Sequence, residues 1–310
     1  MIIAFKPYDS RKIYSGILYE DLAINLNYAY YNLLLSFGLY EREAKIKAGR
    51  EAPSNPMKLI RRGIKIIDVI NVVKDNIEEL INIDGVAYQL NEVQLKAPIP
   101  NPSKIICVGL NYMDHIIEAG MKIPEEPLLF AKAPSSITGP YDPIKIPKIS
   151  NKIDYEAELA IVIGAKCKNV REDEALNYVL GFMAANDVTA RDLEFKDPMR
   201  LFWSKSFDTF CPIGPGIALP SEVGDPDNLR IICRVNGEVM QNSNTGNMIF
   251  NVNRLISFIS MDMTLYPGDI ILTGTPSGVG FKRNPPRYLR RGDIVEVEIE
   301  KIGVIKNRVV

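Results

Sequence analysis

The chain has 310 residues, with 37 basic and 38 acidic side chains and a formal net charge of −1. A chain so close to neutral offers no electrostatic reason to expect a nucleic-acid or acidic-membrane partner. Hydrophobic residues make up 46% and charged residues 24%, which is typical of a globular protein and argues against a disordered one. The length exceeds what a single core usually takes, so it predicts two domains.

The cellular environment is predicted from the N-terminus, the hydropathy and the cysteines. The segment from Met1 to Tyr8 has no basic stretch followed by a long apolar run, so it is not expected to be a signal peptide. No stretch reaches the roughly 18 apolar residues that span a bilayer. The scattered cysteines form no CxxC pair and are expected to be reduced and mostly buried: Cys107, Cys167, Cys211 and Cys233. The sequence predicts a cytoplasmic protein without a membrane partner.

Residues 1–97 are predicted to form a smaller, partly helical N-terminal domain. Apolar residues recur at helical spacing from Leu22 to Tyr40. Two further helices are predicted, one through residues 57–63 and one from Ile66 to about Ile83. These segments carry no dense cluster of site-type residues, so their apolar and aromatic side chains are expected to serve packing.

A proline-rich linker, residues 98–103, is predicted to separate this domain from residues 104–310. Proline fixes φ and restricts the residue before it, which favours an extended segment. Beyond the linker, short apolar runs at 104–109, 153–164 and 270–274 are typical of buried strands. The second domain is therefore expected to be β-rich, which makes the whole chain an α+β protein.

The segment from Asp154 to Gly164 is the most informative one for function. Residues two apart in a strand share a face, so Glu156 and Glu158 are expected to project together. The strand continues as Leu-Ala-Ile-Val-Ile, which is typical of a buried strand, and buried carboxylates need a compensating cation or a raised pKa. A bound metal would supply the cation. The alternative is an edge strand whose outer face is solvated.

The kind of metal is constrained by what the chain lacks. There is one histidine, and the cysteines are scattered, so a zinc site built from histidine and cysteine is not expected. An all-oxygen site selects a hard ion, namely Mg²⁺, Mn²⁺ or Ca²⁺. Asp187 sits at the end of another apolar stretch and is the best candidate for a third carboxylate.

The single histidine, His115, follows a strand and a glycine turn at a predicted helix start. If this segment is helical, His115 and Glu118 lie on one face, where the carboxylate orients the imidazole and raises its basicity. A lone histidine is more often structural than catalytic, and both interpretations stay open. Lys205 lies between aromatic residues and could offer its charge to a developing oxyanion, although most lysines are simply solvated.

Six motifs occur along the chain in the following order: Val-Gly-Leu-Asn-Tyr-Met-Asp-His-Ile-Ile-Glu, Asp-Tyr-Glu-Ala-Glu-Leu, Asn-Asp-Val-Thr-Ala-Arg-Asp, Ser-Lys-Ser-Phe-Asp-Thr-Phe, Val-Asn-Gly-Glu with Gln241, and Gly-Asp-Ile-Ile-Leu-Thr-Gly-Thr-Pro-Ser-Gly-Val-Gly. Together they resemble the fumarylacetoacetate hydrolase family and cover about residues 103–310. The resemblance implies a β-roll or mixed β-sandwich catalytic domain beside a smaller N-terminal domain, usually working as a homodimer.

The resemblance also implies a role for each residue of the site. The metal ligands for Mg²⁺, with Mn²⁺ or Ca²⁺ as substitutes, would be Glu156, Glu158 and Asp187. The catalytic residues would be His115 and Glu118, on a segment that can close as a lid, and Lys205. The substrate-binding residues would be Arg191, Thr275 and Lys132. One departure concerns Glu194, because members that cleave acylpyruvates often have glutamine there, and an ionised carboxylate donates no hydrogen bond.

The family resemblance implies a small-molecule 2-oxo acid as substrate. The first hypothesis is an Mg²⁺-dependent hydrolase that cleaves a carbon–carbon bond, or a decarboxylase, acting on an acylpyruvate or oxaloacetate. The alternatives are an isomerase of the 2-hydroxyhepta-2,4-diene-1,7-dioate or 5-carboxymethyl-2-hydroxymuconate type and a dehydratase of a 2-keto-3-deoxy sugar acid. All of these reactions pass through an enolate. A non-catalytic metal-binding scaffold is a further alternative, against which the joint presence of His115, Glu118 and Lys205 argues.

Overall fold

The computed structural model of the chain describes residues 1–310, apart from the side chain of Pro198. The first 97 residues contain five strands, which are β1 (Ile2–Pro7), β2 (Tyr14–Tyr19), β3 (Leu22–Asn25), β4 (Ala87–Gln89) and β5 (Val93–Lys96). They also contain five α-helices, which are α1 (Leu26–Ser36), α2 (Glu41–Glu51), α3 (Pro56–Ile60), α4 (Ile66–Asp75) and α5 (Ile77–Leu80).

The predicted N-terminal helices are present but shorter than their apolar patterns indicated. Residues Leu22 to Asn25 form β3 because they pair with β2 and β4, and the Asn25 side chain then caps α1 by accepting from the Tyr28 N–H. The helix expected from Ile66 to Ile83 is broken at Asn76, whose φ of −119° is not helical. Strand pairing therefore sets the start of α1, and the break at Asn76 sets the end of α4. The spacing of apolar residues predicts neither boundary.

The remainder of the chain is rich in strands. The strands are β6 (Ile105–Gly109), β7 (Leu128–Lys132), β8 (Ile137–Thr138), β9 (Ile153–Asp154), β10 (Ala157–Ile163), β11 (Val179–Asn186), β12 (Thr189–Ala190), β13 (Cys211–Ala218), β14 (Arg230–Val235), β15 (Glu238–Asn244), β16 (Ile270–Leu272), β17 (Ile294–Ile299) and β18 (Gly303–Arg308). The α-helices are α6 (Met113–Ala119), α7 (Arg191–Glu194), α8 (Leu201–Ser204), α9 (Pro220–Val223) and α10 (Val252–Ile259). The sequence of residues 172–181 predicts one short helix, but only Glu172–Tyr178 are helical, as a 3₁₀ helix, because β11 begins at Val179.

One large sheet runs through the molecule. Its strand order is β4-β3-β2-β1-β13-β11-β10-β16-β6-β7, with β5 beside β1 and β8 beside β13. A second sheet has the order β15-β14-β17-β18, and β9 pairs with β12. The predicted β-rich α+β fold is confirmed.

The central strands of the large sheet are covered on both faces. Leu159 and Phe182 pack into a core that also contains Ile231 and Val297 of the second sheet. On the other face, Ala160 belongs to a core that it shares with residues of the N-terminal helices. Coverage on both faces explains why β10 and β11 are apolar apart from Glu158 and Asn186, which lie at the end of this strand pair nearest the site.

The N-terminal residues join the same sheet and the same core as the rest of the chain. Strand β1 pairs antiparallel with β13, with Ile2 opposite Ile217. Leu33 and Ile60 lie in one hydrophobic cluster with Leu272 of β16. The division into two domains at residues 98–103 stays a prediction.

Two expectations about the environment of the chain can be compared with the structure. All four cysteines are free and buried, as expected. The longest helices that the structure describes have 11 residues. Among the described residues, no helix is long and apolar enough to cross a bilayer.

Candidate active site

The site is built around the start of β10. The strand expected from Ile153 to Gly164 is interrupted at Tyr155 and Glu156, where the Asn186 side chain accepts the Glu156 N–H at 3.0 Å. Strand β10 lies between β11 and β16, so the alternative of a solvated edge strand is wrong. Tyr155 points into the core, whereas Glu156 and Glu158 lie together in one carboxylate cluster, as predicted.

Three buried carboxylates converge at this point. Oxygen atoms of Glu156, Glu158 and Asp187 all lie within 4.8 Å of one another. Asp187 directly follows β11, whose last residue, Asn186, is paired with Ala157 of β10. The register of two neighbouring strands therefore brings the third carboxylate to the first two, and the predicted convergence is confirmed.

Three basic side chains surround two of these carboxylates. The Lys205 Nζ lies 2.7 Å from Glu156 Oε2 and 2.8 Å from Asp187 Oδ2. Lys132 Nζ lies 2.5 Å from Asp187 Oδ1. Arg191, at the start of α7, donates to Glu156. Glu156 and Asp187 thus have two basic partners each.

Glu158 differs from the other two carboxylates. Its hydrogen-bond donor is the Gly274 N–H at 2.8 Å, and no lysine or arginine in the described part of the chain lies within 4.0 Å of it. Burial and the charges of Asp187 and Glu156 raise the pKa of Glu158 well above its ordinary value. Burial also opposes ionisation of Glu156, but Arg191 and Lys205 outweigh it and hold the pKa of Glu156 below its usual range.

A hard divalent cation fits this donor set. All the candidate ligand atoms are carboxylate oxygens, which hard cations such as Mg²⁺ prefer. Each carboxylate offers about four lone-pair positions, so oxygens that already accept from lysine can still coordinate. Glu158 is the buried group whose charge lacks a basic side-chain partner, and a bound cation would offset that charge.

His115 and Glu118 lie on α6 and form the predicted pair. His115 Nδ1 is 3.1 Å from Glu118 Oε2, and Glu118 Oε1 accepts the Gly278 N–H at 2.9 Å. Burial alone would raise the pKa of Glu118, but the hydrogen bonds from His115 and Gly278 outweigh it and hold that pKa below the usual range. The ionised Glu118 therefore binds Nδ1 and leaves Nε2 as the ring nitrogen for a ligand.

The side chains converge on a cavity of about 320 Å³. Its polar lining consists of His115, Glu156, Glu158, Arg191, Glu194, Lys205 and Thr275. Its apolar walls include Leu110, Met121, Leu128, Phe195, Leu201 and Phe281. Neither Lys132 nor its partner Asp187 lines this cavity. The role of Lys132 in substrate binding stays a prediction, as do the roles of the other site residues.

Asp154 is a site residue for which no role was predicted from the sequence. It is fully buried, accepts from Arg191 Nε at 2.9 Å and accepts the N–H groups of Gly280 and Phe281 at 2.7 and 3.1 Å. It holds Arg191 and one wall of the cavity in place. The available signal was the alternation of Asp154, Glu156 and Glu158 at a spacing of two residues.

The fold and the site together define the active site of an enzyme: a small cavity lined by two of the three clustered carboxylates, by the buried Lys205 and by His115. Residues 104–310 match the family model described as "Fumarylacetoacetate (FAA) hydrolase C-terminal". The chain therefore belongs to the fumarylacetoacetate hydrolase family, as its motifs predicted.

Named relatives place the chain more closely within the family. "Oxaloacetate tautomerase Fahd2a, mitochondrial" of Rattus norvegicus is 49% identical over 220 residues, which are 71% of this chain and 70% of the relative. The solved fumarylacetoacetate hydrolase from the psychrophilic Exiguobacterium antarcticum is 34% identical with a TM-score of 0.77, covering 100% of this chain and 99% of the other. The solved 5-carboxymethyl-2-hydroxymuconate delta-isomerase from Mycobacterium smegmatis is 31% identical with a TM-score of 0.72, covering 100% and 98%.

Proposed function

We propose that this protein is a divalent-metal-dependent enzyme, with Mg²⁺ as the expected ion, that moves a proton on the carbon beside the keto group of a small 2-oxo acid. Oxaloacetate is the first substrate to test, because a relative 49% identical is named as an oxaloacetate tautomerase. The observation that carries the proposal is the His115–Glu118 pair, because His115 lines the same cavity as Glu156, Glu158 and Lys205.

The proton transfer is assigned to His115. Because Glu118 is ionised and bound to Nδ1, the neutral imidazole carries its hydrogen there and presents the Nε2 lone pair as a base. His115 takes a proton from the substrate carbon, and Glu118 stabilises the imidazolium that results. The same proton then passes to the keto oxygen, which completes the conversion of keto to enol.

The negative charge that develops on the substrate needs positive partners in the same cavity. A divalent cation held by Glu156, Glu158 and Asp187 would supply Lewis acidity toward the keto group. Asp187 and Glu156 raise the pKa of Lys205 above its ordinary value even though burial opposes this, so Lys205 stays charged. Its ammonium group supplies a fixed positive charge in the lining of the cavity.

A second candidate function is carbon–carbon bond cleavage, either hydrolysis of an acylpyruvate or decarboxylation of oxaloacetate. The apolar cavity walls would suit an acyl group, and the same histidine can activate a water molecule. Glu194 favours proton transfer over hydrolysis. It lines the cavity and accepts from Arg191 Nη1 at 2.9 Å, so it adds an acceptor to the cavity, whereas hydrolysis needs donors for the oxyanion that forms when water attacks.

One set of assays separates these functions. The purified protein with Mg²⁺ is offered oxaloacetate, acetylpyruvate, a 2-keto-3-deoxy acid and 5-carboxymethyl-2-hydroxymuconate, and products are followed by NMR in D₂O. We expect deuterium exchange at C3 of oxaloacetate and faster enol–keto interconversion than Mg²⁺ alone gives, without matching release of pyruvate. Acetylpyruvate cleavage as the dominant activity would favour the hydrolase, and no turnover above the Mg²⁺ blank on any substrate would exclude the proposal.

The expected homodimer and cytoplasmic location stay predictions. Strand β7 ends the large sheet and exposes Leu128 and Leu129, which supports contact with a second copy. Light scattering coupled to size-exclusion chromatography tests this point. The word "mitochondrial" in the name of the rat relative applies to that protein.

A further inference from the structure

Gln241 connects the start of β10, beside Glu156 and Glu158, to the loop that carries Thr275. It lies on β15 and is 1% exposed. Its Oε1 accepts the N–H of Ala157, the residue between Glu156 and Glu158, at 2.9 Å. Its Nε2 donates to Thr275 Oγ1 and to the Pro276 carbonyl oxygen, both at 2.8 Å.

The partners of Gln241 fix the orientation of its amide group. A backbone N–H can only donate, so the atom facing Ala157 must be the amide oxygen. A carbonyl oxygen can only accept, so the atom facing Pro276 must be the amide nitrogen. The usual ambiguity between the oxygen and nitrogen of a glutamine is therefore removed by the backbone on both sides.

This orientation determines what the Thr275 hydroxyl can do. The hydroxyl accepts from Gln241, so its own hydrogen must be donated elsewhere. In the described part of the chain Thr275 Oγ1 makes no other side-chain hydrogen bond, and Thr275 lines the cavity. The hydrogen is therefore available to a ligand in the cavity.

We infer that Gln241 is a positioning residue, which turns the Thr275 hydroxyl into a donor aimed at a carboxylate oxygen of the bound 2-oxo acid. The inference rests on the proposed function for the identity of the ligand. Gln241 thereby favours an acceptor at this point of the substrate, because it occupies one of the two hydroxyl lone pairs and leaves the hydrogen without a protein partner. Its contact with Ala157 ties this donor to the segment that carries Glu156 and Glu158.

A double-mutant cycle tests this coupling, with oxalate as the probe in the presence of Mg²⁺. Gln241→Met keeps the side-chain length but removes the amide, and Thr275→Val keeps the shape but removes the hydroxyl. We expect each variant to weaken oxalate binding about tenfold, as loss of a hydrogen bond to a charged group does. The double variant should bind as weakly as Thr275→Val alone, because Gln241 acts through the hydroxyl.

Further readouts distinguish this role from a structural one. Gln241→Met should raise the KM for oxaloacetate while kcat changes less, and Mn²⁺ affinity should stay at the parent value. Thr275→Ser, which restores a hydroxyl, should restore oxalate binding. Gln94→Met is the matched control, because Gln94 lies on β5 and contacts Asp142, away from the cavity. Independent, multiplying losses in the double variant, or a loss of Mn²⁺ affinity equal to the loss for oxalate, would overturn the inference.

A ligand-free measurement keeps the inference separate from the proposed function. Neutron diffraction from deuterium-exchanged crystals locates the hydroxyl hydrogen of Thr275 directly. We expect it to point into the cavity, with two deuterium atoms on the Gln241 nitrogen facing Thr275 and Pro276. A hydroxyl deuterium directed at Gln241 would overturn the inference even in a working enzyme. If the parent protein binds no oxalate and turns over no 2-oxo acid, the proposed function fails and this measurement alone decides the inference.

Discussion

At the scale of single residues, the three clustered carboxylates are compensated unequally. Glu156 and Asp187 each contact two basic side chains, whereas Glu158 is held by one backbone N–H. The cost of burying an ionised carboxylate is largest where no cation lies beside it. The ionised form of Glu158 is therefore the one that a bound cation would stabilise most.

Cation binding should consequently depend on pH. Burial and neighbouring charges raise the pKa of Glu158 well above its ordinary value, and a cation must displace the proton that Glu158 then holds. We expect Mn²⁺ affinity to increase as pH rises toward that pKa, with proton release on binding, in calorimetric titrations run in buffers of different ionisation enthalpy. Glu158→Gln should lose most of the affinity and the pH dependence, and an affinity independent of pH would contradict this prediction.

Replacing His115 separates catalysis from cation binding. His115 contacts Glu118 and is not among the three clustered carboxylates, so His115→Ala should leave Mn²⁺ affinity unchanged. Turnover should fall by a factor on the order of 10² to 10⁴, the usual contribution of a general base. The measurement is kcat for oxaloacetate interconversion beside Mn²⁺ titration of the same preparation. A variant with full turnover would remove His115 from the mechanism and favour a scaffold-like role.

Which residues of the site could be predicted depends on how far apart in sequence their partners lie. His115 and Glu118 are one helical turn apart, and Glu156 and Glu158 are two residues apart, so spacing alone placed each pair on one face. Arg191 and Lys132 were proposed only from the family resemblance. The contact between Gln241 and Ala157 spans 84 residues and depends on how two sheets pack, which no local pattern encodes.

At the scale of elements, the strand predicted from Ile153 to Gly164 is divided into β9 and β10 by a side-chain contact that the alternation of residues does not indicate. Alternation continues through Tyr155 and Glu156, so it gave no sign of the break between β9 and β10. There the Glu156 N–H donates to the Asn186 side chain instead of to a backbone carbonyl of a neighbouring strand. The Glu156 side chain lies in the cluster with Glu158 and Asp187. The sequence thus predicted correctly that Glu156 and Glu158 lie together, but it did not predict the interruption of the strand.

The start of β17 provides a prediction about acid stability. Asp293 accepts from Asn236 Nδ2 at 2.8 Å, the Arg290 N–H at 2.8 Å and Arg287 Nη2 at 2.9 Å. Burial opposes ionisation of Asp293, but these hydrogen bonds outweigh it and hold its pKa below the usual range. A depressed carboxylate pKa adds stability above the unfolded-state pKa, and this stability is lost as pH falls through the folded-state value.

Asp293→Asn should therefore lower the free energy of unfolding at neutral pH by about 1–3 kcal/mol, the usual cost of leaving buried donors without an acceptor. The difference from the parent protein should shrink as pH falls below about 4, where the parent carboxyl also becomes protonated. Urea denaturation at a series of pH values measures this. A difference that stays constant down to acid pH would show that the charge of Asp293 is not the cause.

At the scale of the whole molecule, the N-terminal residues complete the structure that supports the site. Ile64 N–H donates at 2.9 Å to the carbonyl oxygen of Gly164, directly after β10, and a side chain on Gly63 would collide with that same oxygen. Residues of β10 and β16 share a hydrophobic cluster with α1, α3 and α4. The face of the large sheet opposite the second sheet is therefore covered by the first 97 residues.

Removing residues 1–97 should consequently destabilise the rest of the chain. Deletion would uncover Ala160, Val162, Met183 and Leu272, all fully buried, and would remove the partner of β13 at Ile2. At roughly 25 cal/mol per Å² of apolar surface, exposing such a face costs several kcal/mol, comparable with the stability of a whole domain. We expect fragment 98–310 to aggregate or to unfold at a much lower denaturant concentration than the full chain.

The full chain offers a matched control for this experiment. Its single tryptophan, Trp203, lies on α8, so its fluorescence reports on residues 104–310, whereas far-UV circular dichroism also reports the N-terminal helices. One shared core requires the two signals to change together in a single transition. Two separate transitions, with fragment 98–310 keeping the midpoint of the fluorescence transition, would instead establish two independently stable domains joined at residues 98–103, and the shared core would then be an interface between them.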